Sequence, residues 1–129
     1  MIAGNAGEAF WGRSPKMKEK HLFFVLCKGE SVNHVVLANF TTSTDTGCGS
    51  VMVTPADYSE LYKPESYVAF GLMEVVTLSG VQQAETAGIF TPVTFPVPPC
   101  VLSNIQFCAV RSPKTIPTMK DYLKARGLK

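Results

Sequence analysis

A histidine, a run of hydroxyls and several cations fall within one short stretch of this chain. His21 follows Lys20 and opens an apolar run, Thr41, Thr42 and Asp45 come just after the next apolar run, and Arg13 and Lys18 lie upstream. An imidazole titrating near pH 6.5 suits proton transfer at neutral pH. A hydroxyl beside a cation suits the stabilisation of a phosphorane. Lys20, His21 and Thr41 are therefore the candidate catalytic residues, and Arg13, Lys18, Thr42 and Asp45 the candidate substrate contacts. The alternative is structural: His21 and His34 line or cap a sheet, and the threonines serve a turn.

Other chemistries lack their signatures. Cys27, Cys48, Cys100 and Cys108 form no C-x-x-C, and neither an H-E-x-x-H helix nor a glycine-rich phosphate loop is present, so neither metal nor cofactor is expected. If residues 100–108 are helical, Cys100 and Cys108 stand roughly 12 Å apart, too far for a disulfide, and four free thiols in a reducing compartment are expected. The N-terminus has no basic and apolar leader, and no stretch approaches a membrane span. The expectation is a cytoplasmic protein that does not engage a membrane. Net charge is only +2, but the cations gather at the two ends of the chain, and two basic flanks meeting in space would hold a polyanion.

The elements that must position these residues follow from the apolar rhythm. With 129 residues, 46% of them hydrophobic, the chain suffices for one domain with its own core. Residues 8–11 read as a short strand ended by Gly12-Arg13-Ser14-Pro15. Residues 21–27 and 32–40, joined by a turn at 28–31, read as a central hairpin covered on both faces. A hydroxyl-rich loop, a short strand at 50–53 and one helical turn capped by Thr54 follow. Residues 66–76 give one more strand, bent at Gly71. Four prolines make residues 79–99 a wrapping connection. Helices follow from about residue 100, with an apolar stripe at 101, 102, 105, 108 and 109, and from Pro117, with Thr118-x-x-Asp121 as a capping box. Leu22, Phe24, Val25, Val35, Leu37, Val68 and Val75 should share one core with Leu102 and Ile105.

The order His21-Leu22-Phe23-Phe24-Val25-Leu26, then Val35-Val36-Leu37-Ala38-Asn39-Phe40-Thr41-Thr42, then Asp45 with Cys48, then Ser66-Tyr67-Val68 resembles an uncharacterised bacterial family similar to PemK/MazF-type toxins, over about residues 7–112. The resemblance implies a mainly β, α+β fold: an SH3-like small barrel of about five antiparallel strands with two helices. The barrel would span about residues 7–78, the connection 79–99 and the helices 100–126. It implies a cytoplasmic, dimeric endoribonuclease of a toxin-antitoxin system, cutting single-stranded RNA without metal and held in check by an antitoxin. Thr41 then stands where those toxins carry their active threonine, and His21 where they carry an arginine. A second class stays open, a non-catalytic binding module that holds nucleic acid or a protein partner by a barrel edge or the loop at 57–64.

Overall fold

The run from His21 to Cys27 can form a stable strand only if both of its faces are covered. In a computed structural model, which describes residues 1–13, 19–42 and 51–129, it forms β2 (His21–Lys28), whose six inner residues are all buried. Its hairpin partner β3 (His34–Thr41) is buried in the same pattern. The turn between them needs a glycine, because a Cβ on Gly29 would lie 2.6 Å from the His34 Cβ and 2.7 Å from the Tyr122 hydroxyl. β1 (Ala9–Gly12) pairs along the other edge of β2.

The segment after Ser66 runs along the free edge of β3 and is broken once. β5 (Ser66–Val68) pairs with Phe40 and Thr41, and β6 (Glu74–Thr77) pairs with residues 34–37. A 3-10 turn, Phe70–Leu72, separates the two. The bend expected at Gly71 is therefore present, as a change of strand rather than a kink within one. β4 (Met52–Val53) pairs β5, and β7 (Thr91–Pro92) pairs β1, placing Pro92 on an edge, where its missing N–H costs no ladder bond. The order is β4-β5-β3-β2-β1-β7, with β6 also on β3, and the sheet is open between β4 and β7.

Two cores form where one was expected. Leu22, Phe24, Val68 and Ile105 share one cluster, and Val25, Val35 and Leu37 belong to a second. The pleat explains the division, since alternate residues face opposite sides. A bulge shifts the register between Val25 and Cys27, so Leu26 and Cys27 both join the first cluster. Val75 is exposed on β6 and is not a core residue as expected, whereas Leu102 is half-buried and packs against the first cluster from its rim.

Three helices cover the faces. α2 (Pro99–Ala109) and α3 (Pro117–Ala125) dock Ile105, Ala109 and Leu123 on the first cluster. α1 (Leu78–Thr86) buries Val81 in the second and occupies part of the expected wrapping connection. Its own stripe is weak, with Gly80 inside it, and long-range hydrogen bonds hold it. Asn33 Oδ1 accepts from Ser79 N at 3.0 Å, and Gln82 Nε2 and Glu85 Oε1 bond the Ile2 backbone at 2.9 and 2.7 Å. The capping box at Thr118 does not form, because Ile116 takes the cap position with Pro117 first in the helix. With nearly as many helical as strand residues among those described, the fold is α+β rather than mainly β, with three helices and seven short strands.

Candidate functional site

β2 begins and β3 ends at the same edge of the sheet. Phe23 pairs with Asn39 and Phe24 with Ala38, and the same register carried two residues outward brings His21 opposite Thr41. Gly12 pairs with His21 on one side, and Tyr67 with Thr41 on the other. A cleft of about 90 Å³ runs across these strand ends, bordered by Lys20, His21, Thr41 and Thr42. Four of the candidate residues are thus brought together. Arg13 follows the Gly12 partner of His21 but does not border the cleft, while Lys18 and Asp45 lie outside the described residues.

The imidazole of His21 has a fixed orientation. Its Nδ1 lies 3.0 Å from the backbone carbonyl of Glu19. A carbonyl oxygen can only accept, so this bond requires Nδ1–H and leaves Nε2 as the lone-pair nitrogen of the neutral ring. His21 and Thr41 are half-buried, whereas Lys20 and Thr42 are exposed.

The opposite wall comes from a loop whose residues had been assigned only to the alternative, binding reading. Leu61, Tyr62 and Lys63 border the same cleft, together with Trp11 and Ser66. The loop is pinned from three directions. The Asp57 carboxylate accepts from both the Thr54 N–H and the Thr54 hydroxyl at 3.0 Å, which holds its pKa below the ordinary carboxylate value. The contact reproduces the reciprocal half of a capping box, one residue type changed. The hydroxyl of buried Tyr58 donates to the Phe95 carbonyl at 2.6 Å, and burial, followed by the Glu60 charge, raises its pKa. Leu61 is buried in the first core cluster. What remains outside is Tyr62, its ring centroid 5.5 Å from that of Trp11, with the Lys63 ammonium 5.4 Å from the Tyr62 ring centre. The sequence had offered the loop at 57–64 as a binding surface, and nothing in it singled out Tyr62 or Lys63.

Lys20 and the cations of α3 do not meet. Tyr122 of α3 donates to the Glu30 carboxylate and accepts from the Glu30 N–H, and Arg126 acts electrostatically on Cys27. Both contacts are at the far end of β2 from Lys20. An eight-residue strand spans roughly 23 Å between its end residues, so the α3 cations cannot line the His21 cleft. The cleft's described cations are Lys20 and Lys63.

Two other features bear on chemistry. A larger hollow of about 410 Å³ lies against Ser79, Gln82, Gln83, Thr86 and Ala87, but it has no titratable side chain and so no proton carrier. Among the described residues no three His, Cys, Asp or Glu side chains come together as metal ligands, and no helix is long and apolar enough to cross a membrane. Among the described residues Cys27, Cys100 and Cys108 form no disulfide with one another, and Cys48 lies outside those residues. No family model matches the chain, and no curated protein matches it significantly.

Proposed function

We propose that the chain is a metal-independent endoribonuclease of the PemK/MazF toxin type, cutting single-stranded RNA at the cleft between the ends of β2 and β3. The observation that carries this is the shared cleft: a tautomer-fixed imidazole, two threonines and a lysine, separated by up to 22 positions in sequence, border one hollow. Nε2 of His21 takes the proton of a ribose 2′-hydroxyl, and the freed 2′ oxygen attacks the adjacent phosphorus. The P–O5′ bond breaks, and the 5′ oxygen is protonated by water in the open cleft. The products are a 2′,3′-cyclic phosphate and a 5′-hydroxyl end. Lys20 and Thr41 hold the charge that builds on the phosphoryl oxygens. Thr42 contacts the phosphate, and the sequence offers Arg13, Lys18 and Asp45 as further substrate contacts. The same reading makes the protein a cytoplasmic homodimer with an antitoxin partner, on a relative of the SH3-like barrel; the bend at Gly71, which swings one segment along both ends of β3, supports the barrel kinship.

A second reading is favoured by the convergence of the loop at 57–64 on this cleft: a non-catalytic module on the same fold, holding nucleic acid or a protein partner. Incubation of the purified protein with end-labelled, mixed-sequence single-stranded RNA in EDTA separates the two. Fragments ending in a cyclic phosphate support the nuclease. Intact RNA, with no growth arrest on overexpression, refutes it.

A further inference from the structure

We infer that the exposed ring of Tyr62, backed by Trp11, is the platform on which one unpaired base of the RNA stacks while an adjoining phosphate enters the cleft. This rests on the reading of the cleft as an RNA site and adds the group that grips the base. The volume of the cleft is the first argument. At about 90 Å³ it is well below the 300–1,000 Å³ of pockets that enclose whole ligands. A phosphate fits and a nucleobase does not, so the bases on either side must rest on the rim.

The rim supplies one aromatic surface that the core does not use. Tyr58 and Tyr62 are four residues apart in one pinned loop, yet Tyr58 is 2% exposed and Tyr62 68%. Tyr58 fills the core and hydrogen-bonds a carbonyl, whereas Tyr62 leans on Trp11 with its rings tilted by 37°. The anchors at Asp57, Tyr58 and Leu61 hold the ring in place before any ligand arrives, which lowers the ordering cost of binding. Lys63 lies over the same ring. An exposed cation–π contact is weaker than base stacking, so a base displaces the ammonium, which is then free to pair with a phosphate. An aromatic face flanked by two lysines is the arrangement that single-strand binders use, with the rings gripping bases and the cations tracking the backbone.

The test uses short 2′-O-methyl RNA, which cannot be cleaved, in a fluorescence binding assay at low salt. Tyr62→Ala should weaken binding roughly tenfold, and Tyr62→Phe should stay within about twofold of wild type, because the ring and not the hydroxyl stacks. Replacing single nucleotides with abasic sites should reveal one position at which the Tyr62→Ala loss disappears. Lys63→Ala should flatten the salt dependence, and Tyr62→Ala should leave it unchanged. Near-UV circular dichroism checks that each variant is folded. If Tyr62→Ala binds like wild type while Lys20→Ala is weakened, the platform is overturned and the RNA site stands. Equal losses in Tyr62→Phe and Tyr62→Ala also overturn it. Wild-type protein that binds no RNA, or binds an acidic peptide instead, overturns both. Tyr62-dependent binding of RNA that the protein never cleaves keeps the platform and removes the nuclease.

Discussion

The central hairpin carries a histidine at the start of each strand, and the two are used differently. His34 stands at the turn end, where its Nδ1 lies 2.6 Å from the Ser31 hydroxyl and 3.4 Å from the Glu30 carboxylate. Glu30 is held in turn by Tyr122 of α3. These contacts of His34 close the turn and dock a helix. His21, at the opposite end of β2, bonds a carbonyl two residues away in sequence and borders a cleft with Lys20 and Thr41. A histidine inside a closed network stabilises a structure, whereas one bordering an open cleft can exchange protons with a substrate.

The sharpest way to break this contrast is to delete each imidazole in turn. With folding retained, His21→Ala should lower RNA cleavage by roughly 10²–10⁴-fold, as a positioned acid–base group contributes, and Thr41→Ala by roughly 10²–10³-fold, as one donor to a developing oxyanion contributes. His34→Ala should leave the cleavage rate of the folded protein unchanged. Equal losses at both histidines in gel-based cleavage assays would show that the two ends are not functionally distinct.

A smaller effect separates the ends by pH. At the turn end, burial pushes the Cys27 thiol from 9.0 up to about 11, and Arg126 offsets part of the shift. The unfolded chain therefore loses this proton first as pH rises. The associated stability is intact below pH 9, falls as pH climbs through 11 and amounts to about 2–3 kcal/mol. Urea unfolding of wild type and Cys27→Ala at pH 8 and pH 11 should show a smaller alkaline loss in the variant. Parallel losses would place the alkaline sensitivity elsewhere.

The smallest effect is expected at the helix dock. Tyr122→Phe removes the hydroxyl that joins α3 to Glu30 by two exposed hydrogen bonds and should cost about 1–2 kcal/mol in thermal unfolding. Cleavage should not change. A fall in cleavage without a fall in stability would mean that α3 communicates with the cleft along β2.

The hairpin and the meeting of His21 with Thr41 were legible in the sequence, because two apolar-rich runs of seven and nine residues joined by a short turn admit few registers. α2 and α3 were legible too, the first from its apolar stripe after the proline-rich connection and the second from its opening at Pro117. Local pattern decided these elements. α1 was not legible: its residues carry little apolar periodicity, and its hydrogen bonds come from Ile2 and Asn33, partners remote in sequence. The division of one expected core into two arose from the pleat and the bulge at Leu26. The distance of the α3 cations from the cleft and the arrival of Tyr62 and Lys63 beside His21 were likewise decided only by packing. Composition records how many charges and rings a chain has, but their distances depend on strand length and on where loops are pinned. The sequence thus determined which residues could do chemistry, and the tertiary structure decided which of them share a cleft.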